Sequence, residues 1–235
     1  MGETEILIAI VVGILSLVLF YLVFGRRKAR KSNVLIIGIC DSGKTLIFTQ
    51  LAKNLYRMTQ TSLQENAGTV TIKNSPVPII DIPGHERLRQ QMLEKYLPTC
   101  RAVIFAVDSS TVVKEIKDVA ECLYMVLTDI DVMKGKVPVL IACNKQDLSF
   151  PKSSQVIQSL LEKELTTVRK TRAASLESTD GSKTRRRQLG KEGVDFTFDQ
   201  LLPQKIEAVE CSAKGSTPSG DSPDLTSITH WLATV

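Results

Sequence analysis

The feature that most constrains this chain is the stretch Gly38-Ile39-Cys40-Asp41-Ser42-Gly43-Lys44-Thr45, set between an apolar run at 33–38 and a helical pattern at 44–56. Glycines at 38 and 43 allow backbone N–H groups to turn inward around phosphate oxygens, and the following helix directs its positive dipole end at the same anion. Lys44 is expected to neutralise β- and γ-phosphates, and the Thr45 hydroxyl to ligate Mg²⁺. The motif works only as strand, loop and helix, and the rest of the chain keeps that rhythm. Strands are predicted to end at Asp81 and to span 102–108, 137–144 and 206–211, with helices within 114–133 and 153–168 and near 225–234. Such alternation predicts an α/β fold with five or six strands in a mostly parallel sheet.

Three further motifs fall where predicted strands end, which is where an open α/β sheet binds its ligand. Asp81-Ile82-Pro83-Gly84-His85 offers a carboxylate for Mg²⁺, through water, and a Gly84 N–H for a γ-phosphate. Asn144-Lys145-Gln146-Asp147 suits guanine, because the Asp147 carboxylate can accept from both N1 and the 2-amino group, whereas adenine presents no such pair of donors. Asn144 can tie this loop to the phosphate loop, and the Lys145 stem can cover the ring face. Ser212-Ala213-Lys214 can supply a backbone N–H to guanine O6.

Nineteen residues without a charge, 6–24, are long enough to span roughly 28 Å of hydrocarbon as a helix. Arg26, Arg27, Lys28, Arg30 and Lys31 follow at once, while Glu3 and Glu5 precede, so the expected orientation is a lumenal 1–5, a membrane span at 6–24, a basic cytosolic linker at 25–32 and a cytosolic domain at 33–235. The acidic start and the lack of a small-residue cleavage site argue against a signal peptide. The net charge of +5 is uneven: residues 1–31 carry +3 and residues 169–191 carry +6, leaving −4 elsewhere. A slightly acidic folded part argues against direct nucleic-acid binding. The Ser/Thr/Lys/Arg-rich stretch at 169–193 has no apolar periodicity and is expected to be a mobile insertion. Cysteines at 40, 100, 122, 143 and 211 show no metal-ligand spacing and are expected to be reduced thiols, most of them buried. His230 and Trp231 are expected to pack or to face solvent.

On these four ordered motifs the chain resembles a small GTPase, a P-loop NTPase G domain of the Arf/Sar branch. The span, the segment 81–89 and the basic insertion resemble the beta-subunit family of the signal recognition particle receptor. The resemblance implies GTP and Mg²⁺ as ligands, with Gly38, Asp41, Ser42, Gly43, Lys44, Thr45, Leu46 and Gly84 at the phosphates. Asn144, Lys145, Asp147, Ser212, Ala213 and Lys214 would hold the base, and Thr45, Asp81 and a switch hydroxyl the metal. Thr61 fits the Arf-like spacing for that hydroxyl, with Thr59 and Ser62 as competitors. His85 stands where Arf-type proteins carry a water-orienting Gln, which implies slow or partner-dependent hydrolysis. The implied partner is the receptor alpha subunit, as a heterodimer through the switch segments at the endoplasmic reticulum membrane, with indirect links to the particle, the ribosome and the translocon. The alternative is a membrane-anchored Arf/Sar-like GTPase of vesicle traffic. A permanent span suits cycling on and off membranes poorly.

Overall fold

A computed structural model describes residues 2, 12–16, 31–59, 62, 64–177, 189–215 and 222–235. The chain forms two units, Met1–Lys31 and Ser32–Val235. In the first, residues 12–16 are helical, and the rest of the expected span at 6–24 lies outside the described residues. Among the described residues no helix is long and apolar enough to cross a membrane.

The second unit is a six-stranded sheet in the order β2-β3-β1-β4-β5-β6. Its strands are β1 (Asn33–Ile37), β2 (Asn66–Ile72), β3 (Ser75–Asp81), β4 (Cys100–Asp108), β5 (Val139–Asn144) and β6 (Ile206–Glu210). All neighbours pair in parallel except β2 and β3, an antiparallel hairpin turned by Lys73 and Asn74, both at positive φ. Strict alternation in β1 sorts the core. Leu35 and Ile37 join Phe105, Val107, Ile141 and Cys143 on one face, while Val34 and Ile36 join Ile104, Ala106, Leu140 and Ala142 on the other. Helices cover both faces, as a sheet buried on both sides requires. They are α1 (Lys44–Lys53), α2 (Glu86–Tyr96), α3 (Val112–Leu127), α4 (Ile130–Gly135), α5 (Ser154–Glu177) and α6 (Thr226–Leu232).

Several expectations need correction. The helix expected within 114–133 is two, because Asp129 accepts from the N–H groups of Asp131 and Val132 and restarts the chain as α4. Helix α2 was not expected: its apolar stripe of Leu88, Met92, Leu93 and Tyr96 is short and set among charged residues, and only Arg89 and Leu93 are buried. The insertion expected at 169–193 is helical through Glu177, and 178–188 lie outside the described residues. Arg169 is buried and donates to the carbonyls of Lys191, at 2.7 Å, and Val194, fastening the returning chain to α5. Phe196 N–H donates to Thr166 Oγ1 and Phe198 N–H to Glu162 Oε1, so both rings enter the core. The four cysteines at 100, 122, 143 and 211 are buried and free, as expected; burial pushes the Cys122 thiol up to about 11 and the Cys143 thiol up to about 12.

Candidate functional site

The carboxyl ends of β1, β3, β4, β5 and β6 deliver Gly38, Asp81, Asp108, Asn144 and Ser212 to one edge of the sheet. Beyond β1 the loop turns with Asp41 at φ 59° and Gly43 at φ 83°, both left-handed, and α1 starts directly after. A Cβ on Gly38 would meet the Ala106 carbonyl oxygen at 2.5 Å, and one on Gly84 would meet the Cys40 backbone N at 2.7 Å. Bare backbone is therefore required where the phosphate loop touches β4 and where the segment after β3 touches the loop. Ser42 Oγ donates to the Ile39 carbonyl at 3.0 Å, and Lys44 Nζ donates to the same carbonyl at 2.5 Å. Burial pulls the Lys44 ammonium below its ordinary pKa, against the pull of Asp81. A cleft of about 40 Å³ remains, lined by Cys40, Asp41, Gly43, Lys44, Thr45, Thr59, Ser62 and Gly84 among others.

Asp81 is almost fully buried. Its Oδ2 accepts from Thr45 Oγ1 at 2.7 Å and from Asn66 Nδ2 at 3.0 Å, while its buried Oδ1 has no hydrogen-bond partner among the described residues. Burial raises its pKa, and the donors and Lys44 offset this only in part. An orphaned carboxylate oxygen beside the Thr45 hydroxyl is an incomplete set of hard oxygen donors, and Mg²⁺ is a cation that such a set fits once phosphate oxygens and water complete it. Among the described residues no cluster of three or more His, Cys, Asp or Glu could hold a metal by itself. Ser62 Oγ lies 3.3 Å from Thr45 Oγ1, Thr59 lines the cleft, and Thr61 lies outside the described residues. His85, the N-cap residue of α2, is exposed.

On the other side of the phosphate loop Asn144 is 2% exposed and bridges two loops. Its Nδ2 donates to the Ser42 carbonyl at 3.0 Å, and its Oδ1 accepts from Ala213 N–H at 3.0 Å. The bridge expected of Asn144 is therefore present; of the Ser212-Ala213-Lys214 segment, expected to offer a backbone N–H to guanine O6, the Ala213 N–H is engaged by Asn144. Asp147 is exposed, and its Oδ1 accepts from Ser212 Oγ at 2.5 Å. Lys145, at φ 66°, pairs with Asp108 at 2.6 Å. Asp108 also accepts from the Ser110 N–H and hydroxyl. Burial alone would raise the Asp108 carboxyl, but Lys145 and Ser110 outweigh it and hold the group below its ordinary range. Gln146 Nε2 ties this loop to Ser109 Oγ and to the Lys152 carbonyl. Lys214 is exposed and Leu46 half-buried.

Asp108, Asn66 and Arg89 were not foreseen. Asp108 had a signal, since it ends a strand as Asp81 and Asn144 do. Asn66 had none, because the hairpin register (Asn66 opposite Asp81) brings it in; Arg89 ends the segment 81–89 that the resemblance singles out, but its burial beside Gly84 comes from the fold of α2.

A profile of the family described as "Signal recognition particle receptor beta subunit" matches residues 29–205, three quarters of the chain. The chain belongs to this family. The human signal recognition particle receptor subunit beta is 45% identical over 234 residues, covering 98% of this chain and 86% of that protein. ADP-ribosylation factor 3 of Arabidopsis thaliana is 33% identical over 64% of this chain and 79% of its own. Among solved structures, that of the mammalian SRP receptor aligns with a TM-score of 0.73 at 44% identity, covering 86% of this chain and 98% of that one. The chain is thus similar both to receptor beta subunits and, at lower identity, to ADP-ribosylation factors.

Proposed function

We propose that this receptor beta subunit binds GTP with Mg²⁺ and, in that state, docks the receptor's alpha subunit through the segment around 59–62 and Asp81–Arg89. The observation that carries the reading is Asn144, which joins the phosphate loop to the Ser212–Ala213 loop through Ser42 and Ala213, so that one side chain coordinates both halves of a nucleotide site. The relative from Chaetomium thermophilum solved as "SRb-GDP" is 25% identical and supports a guanine nucleotide as the ligand. Lys44 would leave the Ile39 carbonyl for the β- and γ-phosphates, and the Gly84 N–H would meet the γ-phosphate. Mg²⁺ supplies charge neutralisation between the phosphates when bound, with Thr45 and Asp81 as its protein partners and Ser62 as the switch hydroxyl, since its Oγ already lies beside Thr45. Asp147 reads the guanine edge, with Ser212 orienting its carboxylate. His85 in place of a water-orienting Gln leaves the triphosphate state long-lived. The uncharged segment 6–24 anchors the subunit in the endoplasmic reticulum membrane as a single span with the G domain cytosolic.

Such a gate works only if GTP binds the partner-competent form better than GDP does. The test is capture of the full chain from detergent-solubilised membranes with a non-hydrolysable GTP analogue or with GDP. The alpha subunit is expected to be retained with the analogue and depleted with GDP. Equal retention in both would defeat the gated-interface reading.

A further inference from the structure

We propose that Arg89 is a positioning residue that sets the preference for GTP over GDP by tying Gly84, the γ-phosphate contact, to helix α2; the inference rests on the nucleotide reading above. Arg89 is 6% exposed, yet among the described residues no carboxylate pairs with it. Its Nη1 donates to the Gly84 carbonyl at 2.8 Å, and its buried Nε has no hydrogen-bond partner among the described residues. A buried guanidinium without a counter-charge is costly to fold, so its position calls for a compensating interaction. Lys44, the other buried cation nearby, repels it through space. A polyphosphate in the adjoining cleft would be the missing counter-charge to both cations.

Geometry makes this coupling specific to the γ-position. Gly84 is held on one side by the phosphate loop, since a Cβ there would lie 2.7 Å from Cys40 N and 2.9 Å from Lys44 Nζ. On the other side its carbonyl is held by Arg89, whose own N–H donates to the His85 carbonyl at 2.9 Å in the first turn of α2. The far end of α2 is fixed by Leu93, Met92 and Tyr96 on the core and by Lys95 and Tyr96 on Glu65, so Arg89 is the buried tie at its start. Any shift of Gly84 toward a γ-phosphate therefore moves Arg89, and with it the start of α2, as one piece. GDP, ending at the β-phosphate, does not reach Gly84 and does not use the link.

The experiment measures GTP and GDP affinity of the full chain in detergent with Mg²⁺, by displacement of a fluorescent GDP, for the parent, Arg89→Gln and Arg89→Lys. Arg89→Gln is expected to weaken GTP about tenfold or more and GDP less than about threefold, in line with loss of a charge-assisted hydrogen bond. Arg89→Lys keeps the charge without the planar fork, so its GTP to GDP ratio should fall between the other two. If Arg89→Gln does not fold, the ratio in Arg89→Lys decides. Equal loss of both nucleotides would make Arg89 a mere prop of the fold and overturn the proposal, as would an unchanged ratio in both variants. A parent that binds neither nucleotide would overturn the nucleotide reading and this inference with it.

Discussion

The two ends of the candidate site are built differently. At the base end, Asn144, Lys145, Gln146 and Asp147 each hold a partner on a neighbouring element: Ser42 and Ala213, Asp108, Ser109, and Ser212. At the phosphate end, Asp81 Oδ1 and Arg89 Nε are buried without partners, and Lys44 folds back on its own loop. Hydrogen bonds within the chain complete the first end, whereas the second holds buried polar atoms that no described residue completes. Unsatisfied buried groups cost free energy in the ligand-free protein, and that cost is recovered only by the ligand that satisfies them. On the proposed reading, base recognition is preorganised and nucleotide-state sensing is concentrated where the fold is least satisfied.

The sharpest way to break this contrast is at the base end. Asp147→Asn replaces an acceptor by a donor, so GTP affinity should fall about a hundredfold or more, and xanthosine triphosphate should gain, because xanthine presents a carbonyl where guanine has its amino group. Competition binding with both nucleotides measures this. A variant that binds GTP like the parent and ignores the xanthine nucleotide would show that the loop does not read the base.

A smaller effect, selective for the triphosphate, is expected at the other end. Ser62→Ala should speed GTP dissociation about tenfold while leaving GDP release within about threefold, since the hydroxyl beside Thr45 is used when the metal and γ-phosphate are both present. Thr61→Ala should change either rate by less than about threefold. Stopped-flow release rates decide between the two hydroxyls, and the reverse ranking would assign the role to Thr61.

The smallest effect concerns pH, and the two ends should respond with opposite sign. Asp108 is held below its ordinary pKa, so its ionised form stabilises the fold above the ordinary Asp value, and that contribution is lost as pH falls through the lower folded value. Asp81 is raised, so it costs nothing in acid, and its penalty grows as pH climbs from the ordinary value through the higher folded one. In the nucleotide-free chain near neutral pH, Asp108→Asn should destabilise by about 1–2 kcal/mol and Asp81→Asn should stabilise by about 1 kcal/mol. Both differences should shrink toward zero in acid. Thermal unfolding across pH 3–7 reads the two slopes, and slopes of the same sign would remove the contrast between the ends.

Much of the scaffold was legible because local rules and tertiary context agree. The 33–38 run became β1, the glycine spacing became the phosphate loop, and Asn144 and Asp147 arrived at a strand end as their motif requires. The less legible parts are those whose stability comes from elsewhere. Strand β2 has a mixed burial pattern and is fixed by pairing with β3, and the apolar stripe of α2, Leu88, Met92 and Tyr96, is short among charged neighbours. The Ser/Thr/Lys/Arg-rich start of the expected insertion continues as α5 because Arg169 and Thr166 find backbone partners far along the chain.

By itself the sequence determined which chemistry stands at which strand end, because a phosphate loop or a guanine-reading carboxylate needs particular residue types at particular spacings. It also determined the two faces of the sheet, through alternation in the strands. Only the tertiary structure decided which polar groups are completed by the protein and which are left for a ligand. Whether Lys145 pairs with Asp108, whether Asp81 keeps a free oxygen, and whether Arg89 is buried beside Gly84 depend on strand register and helix packing. Hydrogen bonds and burial are set by distances between residues far apart in the chain, and no local spacing encodes them.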